Sequence, residues 1–465
     1  MPHLLDAAYL LAILLAWPWL LWQAATRGKY REGFAAKLLG RVPPRDGRRP
    51  CVWLHAVSVG EVNLLAPLLA ELERRHPALE CVVSATTKAG YDLARKKYAP
   101  RSVFYCPLDF TWSVKAALAR LRPDVLLLAE LELWPNLIRA ARRRGVRVAV
   151  VNGRLSERSF RGYRRLRPLW RRVLADVDLV AAQTEQYADR FRHLGAPAKR
   201  VRLTGSIKFD GARTDRDNAD TRRLAALAGF GEDEIVWLAG STQAPEEQIV
   251  LAAYARLRVE FPQLRLVLVP RHPERFEAVA RLLEASGLPW RRRSALEPGG
   301  CDLESGGARF GPPCIHGGLS ERGGLLPSTL DPPPSTPILL VDAVGELGAW
   351  WGTARVAFVG GSLGSRGGQN MIEPAAYGAA VCFGPNTRNF REVVAALLDR
   401  DAAAVVAGEA DIEAFVRRCL TQPDYAAALG GRARALVAEQ LGATRRTVDL
   451  IEPLLPASSS AAAAA

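Results

Sequence analysis

The sequence predicts an α/β protein of two doubly wound domains facing a cleft. Three observations carry this. Cys51–Val57 reads as a short apolar strand, Ser58-Val59-Gly60 as a tight turn, and Glu61 onward as a helix with apolar residues at Val62, Leu65, Leu68, Leu69 and Leu72. Strand and helix patterns then alternate as far as Ala212, which argues for a parallel sheet covered on both faces. A second alternating series begins at Ile235, after a polar stretch from Thr204 to Asp220 without apolar period. Ligands of such sheets sit outside the carboxyl ends of the strands, so Glu61 falls at a helix start facing the cleft.

In chain order, residues 1–25 carry an apolar run, Ala7–Trp22, with tryptophans at its C-terminal end and Arg27, Lys29, Arg31 and Lys37 following. The run has nearly the length of a membrane span, and the basic flank places the following domains on the cytoplasmic side. The expectation is a single N-terminal anchor helix in the cell inner membrane.

Residues 26–212 form the first domain, with strands expected at Cys51–Val57, Cys81–Thr86, Val103–Cys106, Val125–Glu130, Val146–Val151 and Leu179–Gln183, and helices between them, such as Lys88–Tyr98 and Asn136–Arg144. Residues 213–455 form the second, with strands at Ile235–Ala239, Leu264–Val269, Ile338–Val341, Val356–Val359 and Ala380–Phe383, and helices at Glu246–Phe261 and Phe276–Ala285. The Gly- and Pro-rich stretch 295–337 reads as a flexible insertion and 456–465 as a disordered tail.

Lysine and arginine number 63 against 48 acids, a formal charge of +15. An excess of this size points to an anionic partner. The basic residues lack an aromatic-interleaved stripe or a nucleic-acid module, so membrane and phosphate are favoured over nucleic acid. The seven cysteines (51, 81, 106, 301, 314, 382 and 419) form no C-x-x-C pair and suit a reducing compartment. Nothing in the spacing of the six histidines suggests a metal site.

Glu61 has two open roles: a helix-start acid favoured by the macrodipole, or a general base for an acceptor hydroxyl. Glu130 and Glu132 end a strand just before Trp134-Pro135, and two acids there call for a partner, for which Lys208 in Gly205–Asp210 is the candidate. Gly360-Gly361-Ser362 follows a strand and leads through Gly367-Gly368-Gln369-Asn370 into a helix near Met371-Ile372-Glu373. It reads either as a phosphate cradle or as an ordinary glycine-rich loop. Ser241 and Thr242 could likewise cradle an anion or cap the next helix. Arg271, after Pro270, can fork onto a phosphate or sit solvated in a turn.

Taken together, Trp53–Glu61, Glu130–Asn136, Asn152–Ser159, Gly205–Asp210, Gly240–Thr242, Pro270–Phe276, Gly345–Leu347, Phe358–Leu363, Gly367–Pro374 and Gly384–Phe390 resemble the 3-deoxy-D-manno-octulosonic acid (Kdo) transferases of lipopolysaccharide synthesis, in the family's order. The resemblance implies a GT-B fold of two Rossmann-like domains and an inverting, metal-free and cofactor-free transfer of Kdo from CMP-Kdo to a lipid A precursor, releasing CMP. By the same resemblance Glu61 is the base. Glu130 or Glu132 with Lys208 stabilises the transition state, and Pro270, Arg271, Val344, Gly345, Glu346, Asn370, Met371, Ile372 and Glu373 hold CMP.

The chain departs from the family at Gln243 and Gln369, where His is usual; glutamine keeps hydrogen bonding but carries no proton or charge. Two rivals are a sugar-nucleotide epimerase on the same fold and an inactive membrane-bound nucleotide-sugar binder. The number of Kdo units, the acceptor's acylation and the oligomeric state are left open by the sequence.

Overall fold

Strand β1 (Cys51–Ala56) is buried along its whole length, with side chains alternating between two cores. Cys51 and Trp53 face one cluster with Leu126, Leu128, Val148 and Val150. Val52, Leu54 and Ala56 face the other, with Leu127, Ala149 and Val151. A strand apolar on both faces belongs inside a parallel sheet covered by helices on either side. The computed structural model of the protein describes residues 2–27, 32–296 and 336–456. Most of the expected insertion (297–335), the tail from 457, Lys29 and Arg31, and Cys301 and Cys314 lie outside the described residues.

The first sheet continues with β2 (Glu80–Ala85), β3 (Val103–Tyr105), β4 (Val125–Ala129), β5 (Arg147–Gly153), β6 (Leu179–Ala182) and β7 (Val201–Leu203), in the order β3-β2-β1-β4-β5-β6-β7. Every neighbouring pair is parallel. The second sheet has β8 (Ile235–Thr242), β9 (Leu264–Pro270), β10 (Trp290–Arg292), β11 (Ile338–Leu340), β12 (Val356–Val359), β13 (Ala380–Phe383) and β14 (Ala404–Val405), in the order β10-β11-β9-β8-β12-β13-β14. It too is wholly parallel. Strand order reverses between β1 and β4 in one sheet and between β8 and β12 in the other, and the ends of these strands carry the motifs singled out above.

The chain divides into two units, one of residues up to Gly211 with those from Gln440 onward, the other Ala212–Glu439. The sequence placed residues to 455 in the second domain, whereas the last helix, Ala443–Ile451, belongs to the first. The reason is apolar: Val448 and Ile451 are fully buried in the cluster that holds Val52 and Leu54.

The N-terminal apolar run is helical over Pro2–Arg27, with Pro18 inside it. Its N-terminal end docks on the first unit. Asp6 accepts from Thr111 N–H at 2.8 Å and Asn136 Nδ2 at 3.3 Å, and Tyr9 donates to Asp109 at 3.1 Å. Further along, Leu11, Leu14, Leu15, Trp17, Trp19 and Trp22 are exposed. The expected N-terminal helix is thus present, and among the described residues no helix is long and apolar enough to cross a membrane.

Candidate active-site groups of the two units

Glu61 occupies the third position of the helix Val59–Arg75, whose N-cap is Ser58. Its carboxylate accepts from Val57 N–H at 2.8 Å and from the Ser58 hydroxyl at 2.9 Å, a variant of the capping box. Both open roles are thus compatible with one geometry. Burial pushes the Glu61 pKa above the ordinary carboxylate value; the two hydrogen bonds oppose this, the Glu130 charge adds to it and Lys208 lowers it.

Glu130 follows β4 in a left-handed backbone, φ 53°. Lys208 Nζ lies 2.9 Å from Glu130 Oε1, and Arg154 lies 3.7 Å from Oε2. Lys208 is held by the chain around it. Ile207 N–H donates to Asn152 Oδ1, and Asn152 is itself left-handed at φ 52°. Asp210 accepts from the N–H groups of Gly442, Ala443 and Thr444, capping the returning C-terminal helix. Sequence reading missed this role of Asp210, because the two segments are more than 200 residues apart.

Glu132 is separate from that ion pair. It accepts from Trp134 Nε1 at 2.9 Å, and burial, aided by the Glu61 charge, raises its pKa to about 7. The Trp134 ring meets His55 edge-on at 6.0 Å. His55 is fully buried, bonds Ser84 Oγ at 2.9 Å, and is pushed down to about 4 by burial.

In the second unit, Pro270 closes β9 and Arg271 N–H donates to Thr242 O. The exposed Arg271 side chain exerts its charge on Glu373, whose pKa is raised chiefly by burial. Asn370 Nδ2 donates to Glu373 Oε1 at 2.9 Å while its Oδ1 accepts from Ile372 N–H, so Asn370, Glu373 and Arg271 form one group. Met371 and Ile372 are buried. Glu346 is spoken for by Arg293, at 2.7 and 2.9 Å, and by Trp350 Nε1; Gly345 is left-handed and Val344 is exposed.

In the glycine-rich turn after β12, the N–H groups that could cradle an anion meet a carboxylate of the protein. The N–H groups of Gly361, Ser362 and Leu363 all donate to the buried carboxylate of Glu246, at 2.7–3.0 Å. Gly360 has no room for a side chain, since a Cβ would lie 2.6 Å from Thr242 Cα. Ser241 is buried in a left-handed backbone, and the buried Thr242 hydroxyl has no hydrogen-bond partner among the described residues. Gln243 and Gln369 converge on the same glycine, each Nε2 within 3.5 Å of where a Gly361 Cβ would stand. Among the described residues no group of three or more His, Cys, Asp or Glu could hold a metal ion.

Comparison with known proteins identifies the family. Residues 17–211 match the family model described as 3-Deoxy-D-manno-octulosonic-acid transferase (kdotransferase). The chain is 35% identical to the 3-deoxy-D-manno-octulosonic acid transferase of Bordetella pertussis over 456 residues, 95% of this chain and 96% of that one. It is 32% identical to that of Haemophilus influenzae over 416 residues, 89% and 88% of the two chains. A UDP-GlcNAc 2-epimerase from Neisseria meningitidis, solved with UDP-GlcNAc, superposes with a TM-score of 0.51 over 87% of this chain and 100% of that one; at 13% identity the likeness is one of fold, the GT-B class. The chain therefore belongs to the 3-deoxy-D-manno-octulosonic acid transferase family.

Proposed function

We propose that the protein transfers Kdo from CMP-Kdo to a hydroxyl of a lipid A precursor in lipopolysaccharide synthesis, with inversion and release of CMP. The observation that carries this is Glu61: a carboxylate fixed by Val57 and Ser58 and raised in pKa by burial, so that it can take a proton more readily than a solvated one.

The acceptor oxygen attacks the anomeric carbon from the face opposite the phosphate. Its proton passes to Glu61, and the bond from the anomeric carbon to the phosphate oxygen breaks with its electron pair leaving on CMP. The leaving group is an anion and needs donors and positive charge more than an acid. Arg271 and Asn370 supply these at the donor end in this reading, and Lys208, paired with Glu130, supplies charge near Glu61. No metal or cofactor is assigned a step.

The exposed leucines and tryptophans of the N-terminal helix support membrane association beside a lipid acceptor, and the basic residues that follow, such as Arg27 and Lys37, favour the cytoplasmic side of the inner membrane. Incubation with CMP-Kdo and a lipid A precursor tests the proposal. The expected result is a product heavier by whole Kdo residues and release of CMP. Donor turnover without a heavier lipid, or neither, would refute it.

A further inference from the structure

The helix Glu246–Glu260 begins with two carboxylates that are both almost fully buried, Glu246 and Glu247. Glu246 accepts four backbone N–H bonds: Gln243 at 2.9 Å and Gly361 at 2.7 Å on Oε2, Ser362 at 2.9 Å and Leu363 at 3.0 Å on Oε1. Successive N–H groups in such a turn form a concave site for an anion. Here the anion is part of the protein.

Other groups of the turn are held internally as well. Ser362 Oγ accepts from Gly384 N–H at 2.8 Å and donates to Val359 O at 2.6 Å. Asn386 donates to Ser362 O and Leu363 O, and Asn389 Nδ2 to Arg366 O and Gly368 O. The loops after β8, β12 and β13 thus meet around one carboxylate. Glu247 makes the parallel connection, binding Arg275 through both oxygens at 3.0 and 3.2 Å, four residues beyond Arg271.

We infer that Glu246 is a positioning residue for the donor site: it fills the glycine-rich turn as a built-in anion and fixes that turn before any nucleotide arrives. The inference rests on reading the second unit as the CMP-Kdo site. It has a chemical consequence. A donor phosphate cannot use the Gly361–Leu363 N–H groups without displacing Glu246. The donor's anions must then meet side chains in front of the turn, such as Arg271, Gln243, Gln369 and Asn370.

The test compares wild type with Glu246→Gln and Glu246→Asp for CMP affinity by calorimetry and for the KM values of both substrates, and follows backbone hydrogen exchange of residues 360–364 in wild type. In Glu246→Gln, CMP affinity falls and donor KM rises about tenfold to a hundredfold while acceptor KM stays unchanged. Glu246→Asp, which keeps the charge, recovers part of the loss. In wild type the Gly361–Leu363 amides are protected before CMP is added. A folded Glu246→Gln with wild-type CMP affinity and donor KM overturns the inference, as do amides that become protected only with CMP. Should the variants fail to fold, the wild-type exchange pattern decides alone. A wild type that neither binds CMP nor transfers Kdo refutes the donor-site reading instead, and the exchange result still judges Glu246.

Discussion

Lys208 Nζ lies 2.9 Å from Glu130 Oε1, and Glu130 reaches it from a left-handed backbone that a non-glycine residue rarely adopts. Such a conformation costs on the order of 1–3 kcal/mol and persists where its surroundings over-determine it. Here those surroundings are the ion pair, the bond from Glu130 N–H to Val151 O and the Asn152-held segment that carries Lys208.

Lys208→Met should therefore leave a half-buried Glu130 with the more distant Arg154, at 3.7 Å, and with the Glu61 charge nearby. Transfer rate is expected to fall about 10²-fold or more, the scale of losing one electrostatic stabiliser. CMP affinity, which the proposed function assigns to the other unit, should change less than about twofold. Steady-state kinetics with calorimetric CMP titration checks both; a loss confined to CMP affinity would remove Lys208 from the chemical step.

Glu61→Gln separates the two roles of that residue. Glutamine at the third position of a capping box still accepts a backbone N–H bond, so the melting temperature should drop only slightly. Glutamine cannot take a proton, so transfer should fall about 10²–10⁴-fold. CMP binding should persist. If transfer stays near wild type, Glu61 is a helix cap and nothing more.

Much of this arrangement is legible in the sequence, and the parts that are not have physical reasons. Interior strands such as β1, β4 and β9 are continuous apolar runs and stand out. The missed strands are β7, β10 and β14, short pieces near or at sheet edges such as Trp290-Arg291-Arg292, where little is buried and pattern is weak. The Glu130–Lys208 pair was readable because charge at the end of an apolar strand is costly without a partner, and Glu61 because an acid there starts a helix right after an apolar strand. The role of Glu246 was not: an acid in a first helical turn looks the same whether it faces water or a glycine loop 115 residues away. The return of Ala443–Ile451 to the first unit is equally silent, since its apolar spacing suits either core.

Stability should depend on pH through Glu132 and Asp109, whose carboxyls burial raises from 4.5 and 3.8 to about 7. A carboxyl raised in the fold binds more protons folded than unfolded between the two values. Its contribution is complete below about pH 4, is lost as pH rises through about 7, and changes no further above that. Glu132→Gln removes its share, so its melting temperature should exceed that of wild type by a few degrees at pH 8 and show no such gain near pH 4.5. Asp109, which accepts from Asn136 and Leu137 N–H and from Tyr9, leaves a residual slope in that variant. Thermal scans across pH 4–8.5 check it; equal slopes in the two proteins would mean Glu132 is not the group that titrates.

Asp210 binds the start of the C-terminal helix to the segment carrying Lys208, and the same helix buries Val448 and Ile451 beside β1. Asp210→Asn keeps the shape and removes the charge that faces three N–H groups at a helix N-terminus. It should cost about 1–2 kcal/mol of stability in the first unit. It should also slow transfer by loosening Lys208, since Arg446 of that helix donates to Thr204 O four residues before Lys208. Ending the chain at Glu439 is far harsher: it strips two fully buried aliphatic side chains from the core, each worth about 1.5–3 kcal/mol. The truncated protein should therefore lose the cooperative melting of the first unit while the second unit, Ala212–Glu439, keeps its own transition and its CMP affinity. Calorimetry of the two variants distinguishes these outcomes, and a truncated chain that transfers Kdo at wild-type rate would show that the returning helix is dispensable to the site.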